Sequence, residues 1–424
     1  MRIAIWHNLP SGGGKRALYS HVRGLVESGH TVDVWCPSSA DATYMPLKSL
    51  VRREEVMPLP GTRPQPVLLT KLLKSAQVDT TMLNGMDGML EHAKEFAARV
   101  NNAGYDVVLV EPCRAFLTPF VGRFLSLPSV LYLQEPSRHL YEATPRLPWI
   151  AEEDAPTPWW HPATLRHWIG SAARVDPVRV LAREEWTNIR AFDRVLVNSA
   201  FSRESVLRTL GVSSRVCYLG IDAAAFAFAD RAREPFVLSV GEFAVHKRPE
   251  FIIRGVAASR SRPPLVWVAN RVEAGLARKL RALAGELAVQ LDIREMVTES
   301  GLVDLYQRAS AFLYAPRLEP FGFVPLEANA CGAPVIAIAE GGIRETIVHE
   351  ETGVMVDAEP ESMGTAIDGL MQDSALARRL GRNGAAHVRE RWTLDAAKAR
   401  LERQLLDVCN SRRGTSDSSR TGLR

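Results

Sequence analysis

The stretch Ala311-Phe-Leu-Tyr314, then Glu319-Pro-Phe-Gly-Phe-Val-Pro-Leu-Glu327, then Ala-Asn-Ala-Cys-Gly-Ala-Pro334 and Val335–Ile338 reads as strand, turn, helix, strand. The first strand ends near Pro316, and the helix is expected to begin around Gly322–Val324. Two short apolar strands joined by a helix form a right-handed crossover and pair in parallel. The amides at such a helix start lack intrahelical partners and, with the helix dipole, favour an anion. Glu319 precedes the turn and Glu327 lies one helical turn beyond it. A phosphate between them with hydroxyl-bearing groups on either side would engage all three elements, the layout of a nucleotide sugar. The plainer alternative is a structural strand–turn–helix with two surface acids.

The same alternation runs outward in both directions. Strands are expected at Ile3–Trp6, Thr31–Trp35, Val107–Val110, Val130–Leu133 and Arg194–Val197. A second series follows at Phe236–Val240, Leu265–Ala269, Ile293–Val297, Ala311–Tyr314, Val335–Ile338 and Val354–Val356. Between the first two strands, Leu18, Val22, Leu25 and Val26 form one helical stripe that stops at Gly29. Two series, each sufficient for a sheet, predict two Rossmann-like α/β domains. The expected boundaries are 1–218 for the first domain and 219–390 for the second. A return helix at 391–410 completes the first domain, and 411–424 is expected to be a disordered tail. Tyr141–Val175, rich in Pro and Trp, stands apart as an insert, read either as acceptor site or lid or as an excursion packed on its own domain.

Composition sets the outer limits. At 424 residues the chain has room for two or three domains of roughly 150 residues. With 46% hydrophobic and 24% charged residues it is of ordinary globular make-up. Lys+Arg at 52 against Asp+Glu at 48 leaves only +4, which argues against a nucleic-acid partner. Five scattered cysteines show no disulfide or zinc spacing, so a cytoplasmic setting is expected. Met1–Trp6 reads directly into a strand rather than a leader, and no run approaches the ~18 apolar residues of a membrane span. Arg52 and Arg53 are available for peripheral membrane contact, but no basic amphipathic stripe supports it.

The segment from Glu319 to Glu327 resembles the E-x7-E motif of GT-B glycosyltransferases of the retaining family-four type. Asn198-Ser199 with Phe201-Ser202, Gly220-Ile221-Asp222 with Phe226, and Gly341-Gly342, Glu345 and Thr352-Gly353 resemble further stretches of that family in the right order. The resemblance implies two Rossmann-like doubly wound domains facing a central cleft, and transfer of a sugar with retention from a nucleotide-diphosphate sugar to an acceptor hydroxyl. It gives the donor-sugar hydroxyls to Glu319, the sugar and phosphate to the backbone of Phe321, Gly322, Phe323 and Val324, and the ribose to Glu327. Gly13 and Gly14, with Lys15 as helper, would face the diphosphate from the Pro10–Arg16 loop. Gly241 and Lys247 match the donor-phosphate segment.

Two positions depart from the pattern. Glu242 stands where the family places arginine, so either Arg248 or Arg16 substitutes, Glu242 points away, or the leaving group is unusual; a substitute arginine is preferred. Gln134 stands where a histidine is common. Its amide still bonds hydroxyls but cannot titrate, which leaves Glu135 as a neighbouring polar candidate. No Asp-x-Asp or metal-ligand cluster occurs, so metal-independent chemistry without a cofactor is expected. The alternative is a degenerate GT-B protein that binds nucleotide or sugar as an auxiliary partner; an epimerase of the same fold is weaker still. Base, sugar and acceptor identity are not encoded legibly, although Met296 and Val297 stand at a strand end that could border the base.

Overall fold

The computed structural model describes residues 1–60, 81–142, 158 and 160–421. The chain divides into two compact units. The first comprises Met1–Asn198, Ser202–Cys217 and the chain from Lys398 on; the second comprises Ser199–Phe201 and Tyr218–Ala397.

In the first unit the strands are β1 (Arg2–Asn8), β2 (Thr31–Pro37), β3 (Arg53–Met57), β4 (Val107–Cys113), β5 (Ser129–Gln134), β6 (Arg194–Val197) and β7 (Arg215–Val216). They form one sheet in the order β3-β2-β1-β4-β5-β6-β7, with parallel pairing throughout. A parallel sheet is covered on both faces, so its central strands are largely apolar and buried along their length. All seven residues of β4 are accordingly buried. Helix α1 (Gly13–Glu27) follows β1, buries Leu18, Val22 and Leu25, and stops before Gly29, whose φ of 81° a side chain would strain. One face of the sheet is closed by Trp6, Trp35, Phe96, Phe116 and Phe120 in a single apolar cluster.

The sequence reading misses β3 and β7, the two edge strands. Arg-Glu-Glu-Val-Met carries charges because a sheet edge is half wet and gains from discouraging further pairing. Arg52 and Arg53 do not form a free basic pair. Arg52 is bonded to the buried Asp33, which also accepts from the Tyr105 hydroxyl at 2.6 Å, and Arg53 pairs with Glu55.

In the second unit β8 (Glu234–Val240), β9 (Leu265–Ala269), β10 (Leu291–Glu295), β11 (Ala309–Tyr314), β12 (Val335–Ile338) and β13 (Gly353–Val356) pair in parallel in the order β10-β9-β8-β11-β12-β13. Strand β10 begins and ends two residues earlier than expected. It stops because Met296 adopts φ 54°, and that side chain is 74% exposed. Trp267, Phe243, Leu313 and Ile336 lie in the core.

The last helix spans Leu394–Thr421 and so runs on through most of the stretch expected to be disordered. The Ser/Arg/Gly composition that suggested disorder did not stop a helix that is already packed through Leu401, Leu405 and Val408. Of the Trp-rich insert, residues 143–157 and 159 lie outside the described residues, as do the side chains of Arg166, Trp168 and Arg174. A long helix covers Pro162–Ile189, and Trp160 just before it is 70% exposed.

Candidate functional site

Each sheet reverses its winding once: between β1 and β4 in the first unit, and between β8 and β11 in the second. Connections leave in opposite directions there, which opens a crevice at the carboxyl ends of the strands where ligands collect. In the second unit the segments that leave β8 and β11 are Gly241–Arg248 and Ala315–Gly322, which are the two the sequence singled out.

These segments meet through charge. Lys247 Nζ donates to Glu319 Oε2 at 2.7 Å, with the two side chains about one-fifth exposed. Arg248, in a left-handed conformation (φ 53°) at the start of α6 (Pro249–Ala258), places Nη1 3.3 Å from Glu340 Oε1. The other oxygen of Glu340 accepts from the Leu318 amide at 3.3 Å. The lysine and the arginine thus attach to the same turn, one through Glu319 and one through Glu340. Behind them the Trp267 indole donates to the Gly241 carbonyl at 2.9 Å and anchors the segment to the core.

The turn itself is shaped by glycine. Leu318 has φ 47° and Gly322 φ 92°, and Gly322 caps α9 (Phe323–Ala330) with no side-chain acceptor at its N-terminus. Gly341 and Gly342 back onto the turn. The Gly342 amide donates to the Glu319 carbonyl at 2.8 Å, and a Cβ at Gly342 would lie 2.0 Å from the Pro320 carbonyl oxygen. Glu319, Phe323 and Val324 are half-buried, whereas the Phe321 ring is buried against Phe323 and Trp392 at 5.3 and 5.6 Å between centroids. The amides of this helix start and the helix dipole are of the kind that favours an anion.

Glu327 is 2% exposed and accepts from the Tyr306 hydroxyl at 3.2 Å. Burial, together with the nearby carboxylates of Glu319 and Glu327, pushes the Tyr314 phenol well above its ordinary range, so it stays protonated beside them. Glu242 is directed to Arg271 at 3.4 Å. The carboxylate at the family's arginine position therefore has a cation of its own, and Arg248 is the arginine attached to the turn. Among the described residues no group of three or more His, Cys, Asp or Glu is placed to hold a metal.

In the first unit the sequence-predicted residues divide. Gly13 is exposed and Gly14 half-buried at the start of α1, as a backbone cradle requires. Lys15 turns inward instead: it is 1% exposed, and burial lowers its pKa against the opposing pull of Glu54, Cys36 and Asp41. A ligand at this loop meets the glycine backbone rather than the expected helper ammonium. Gln134 ends β5 with φ 67°, and its amide lies against Gly14. Glu135 lies 3.6 Å from Arg138 Nε.

Sequence reasoning passed over Glu340, Tyr306, Tyr314, Glu111 and His21. Only Glu111 carries a signal, as a lone acid directly after the apolar run Val107–Val110. It is fully buried, with His21 Nδ1 at 3.1 Å and Gln134 Nε2 at 3.4 Å. Burial raises its pKa, and the bonds from His21 and Gln134 oppose that rise.

Comparison with known proteins bears on the family and the fold. The family model for glycosyl transferases group 1 matches residues 221–387. A D-inositol 3-phosphate glycosyltransferase from Streptomyces bingchenggensis is 29% identical over 283 residues, covering 59% of this chain and 62% of that protein. The chain thus matches about three-fifths of the length of such relatives. Among solved structures, the sucrose-phosphate synthase of Thermosynechococcus elongatus superposes with TM-score 0.69 at 20% identity, covering 96% of this chain and 100% of that one. Anabaena Alr3699/HepE, solved in complex with UDP-glucose, does so with TM-score 0.63 at 17% identity over 97% of this chain and 100% of that one. These likenesses establish the GT-B architecture of two parallel-sheet α/β domains. No helix among the described residues is long and apolar enough to cross a membrane.

Proposed function

We propose, on the premise that residues 221–387 belong to the glycosyl transferases group 1 family, that this protein transfers a hexose with retention from a nucleotide-diphosphate sugar to an acceptor hydroxyl. The single observation that carries the reading is the Lys247–Glu319 pair at the switch point of the second sheet. It sets a cation for the diphosphate beside a carboxylate for the sugar hydroxyls, against a helix start whose amides receive the phosphate.

In this reading Lys247 and Arg248 offset the charge that develops on the leaving diphosphate, work that needs no metal ion. Glu319 orients the sugar so that its anomeric carbon faces the acceptor, and positioning of that kind accelerates the transfer. The backbone of Phe321, Gly322, Phe323 and Val324 holds the sugar and phosphate. Glu327 is assigned the ribose; with 2% exposure and the Tyr306 hydroxyl bonded to it, it is the least accessible of these groups. Gly13 and Gly14 supply amides from the first unit, where Gln134 and Glu135 are the polar groups for a substrate hydroxyl. Retention follows if the acceptor attacks on the face the diphosphate leaves, with the diphosphate oxygen taking the proton. The five cysteines are all free and buried, which suits a reducing compartment. The auxiliary-binder alternative, motivated by Glu242 and Gln134, predicts nucleotide binding without donor consumption.

The test is a thermal-shift screen of nucleoside diphosphates and their sugars, followed by product analysis with candidate acceptors. A nucleotide at about 100 times its Kd stabilises the protein by about 2.7 kcal/mol. Transfer is expected to give a product with the donor's anomeric configuration, and Lys247→Met is expected to abolish it. Absence of any nucleotide-dependent stabilisation would remove the proposal.

A further inference from the structure

We infer that the buried Glu111–His21 pair dictates which end of the Gln134 amide faces the ligand, and makes Gln134 a hydrogen-bond acceptor for a substrate hydroxyl. The inference rests on the transferase reading for its functional consequence, but its structural part stands separately.

The geometry begins with an expensive residue. Glu111 lies in β4, in the middle of a parallel sheet, and is fully buried. Isolated in such a place, a carboxylate is strongly disfavoured by desolvation unless its oxygens are satisfied. Both are: His21 Nδ1, from α1, lies 3.1 Å from Oε1, and Gln134 Nε2 lies 3.4 Å from Oε2. The His21 ring is held edge-on to Tyr132 at 4.6 Å, and the Tyr132 hydroxyl is committed to the Cys217 carbonyl at 2.6 Å. Helix packing alone would be served as well by an apolar residue at position 111.

What the pair adds is polarity. The Gln134 NH2 is turned toward Glu111 Oε2, the arrangement an ionised carboxylate requires because it can only accept, and the carbonyl oxygen is the end of the amide that Glu111 does not engage. The backbone is bent to present it: Gln134 is left-handed at φ 67°, and the β5–β6 register shifts between Tyr132 and Gln134. Such a conformation is uncommon for a residue with a side chain. It lays the amide over Gly14, where a Cβ would come within 3.6 Å of Nε2 and 3.7 Å of Oε1. Both ends of the amide thus lie close to the glycine turn of the first unit, and the carbonyl oxygen is the one Glu111 leaves to a ligand there. An acceptor at that spot bonds a hydroxyl hydrogen and disfavours a carbonyl or carboxylate oxygen. Glu111 and His21 are positioning residues, and Gln134 is the group that touches substrate.

The experiment is a double-mutant cycle on the full chain with Glu111→Gln and Gln134→Met, read by kcat and KM, together with NMR of protein labelled with 15N at glutamine side chains. An amide at position 111 can donate or accept, so the orientation of Gln134 is no longer dictated. Glu111→Gln is expected to lower kcat about tenfold, the equivalent of one hydrogen bond, with donor KM unchanged. In the Gln134→Met background the same substitution is expected to cost nothing further. Equal losses in both backgrounds would mean a purely structural Glu111 and would overturn the inference.

The NMR arm does not need turnover. The Gln134 NH2 signals, assigned by their loss in Gln134→Met, are expected to be exchange-protected in the native protein and to lose protection in Glu111→Gln. Unchanged protection overturns the orientation. If the native protein consumes no donor, the transferase reading fails while these signals still decide the structural part.

Discussion

Replacing Gly342 with alanine places a Cβ 2.0 Å from the Pro320 carbonyl oxygen and 2.7 Å from its carbon. Real Cβ contacts essentially never fall below 3.0 Å, so the two backbones must part by at least 1.0 Å. The segment that can yield is the Glu319–Phe321 turn, because the other side of the contact begins the short helix Ile343–Thr346, whose first residue is buried. Overpacking of this kind costs about 1–3 kcal/mol of stability. The functional cost is larger. Glu319 would move relative to Lys247, whose Nζ it meets at 2.7 Å, and a misplacement of about 1 Å at a reacting centre lowers turnover about 100-fold. The control is Gly381→Ala, whose Cβ would meet the Gly332 carbonyl oxygen at the same 2.0 Å, beyond the C-terminal end of α9 rather than at its start. Chemical denaturation and steady-state release of nucleoside diphosphate are measured on both variants. Both should lose comparable stability, and only Gly342→Ala should lose most of its kcat. If the two variants lose turnover equally, the Gly341–Gly342 support of the Glu319 turn is not what sets the chemistry.

Three further outcomes are expected. Lys247→Met should lower stability by about 1–3 kcal/mol, since it takes a cation from the mostly buried Glu319 carboxylate, while turnover falls at least 100-fold; a loss of stability with turnover retained would place Lys247 outside the site. Glu242→Ala should leave nucleotide affinity within about twofold by titration calorimetry, because its carboxylate is spent on the exposed Arg271; markedly tighter binding would show that it repels the diphosphate. Glu185 provides a pH test, as burial raises its pKa to about 7 despite bonds from Ser137 and Tyr141. A carboxyl with a raised folded-state pKa binds more protons when folded, so its contribution is fully present below about pH 4.5 and is lost as pH rises through 7. Glu185→Gln should therefore match the native protein in urea denaturation at about pH 4 and exceed it by up to about 3 kcal/mol at about pH 8; a constant difference across pH would contradict the shift.

Much of the architecture was legible because its causes are local. Central parallel strands are buried on both faces, so Val107–Val110, Leu265–Ala269 and Val335–Ile338 announce themselves by apolar runs alone. The edge strand Arg53–Met57 did not, because an edge is half wet and its composition imitates a loop. The helix start around Gly322 and the helix stop at Gly29 were readable because glycine is at home in left-handed backbone, whereas Gln134, Arg248, Met296 and Leu318 adopt it without any such mark in the sequence.

The pairings were not legible, since they depend on where distant segments arrive. Lys247 and Glu319 were each singled out by motif, but that they bond to one another is a result of β8 and β11 lying side by side. Glu242 as the partner of Arg271, Arg248 as the partner of Glu340, and Lys15 folded inward are likewise decided by packing. Glu111 illustrates the division most sharply. The sequence by itself marks an acid in an apolar strand, whereas the histidine from α1 and the amide from the end of β5 reach its two oxygens only through the tertiary fold. Local chemistry chooses strand, helix and turn; the meeting of charges across many residues is a property of the assembled sheet.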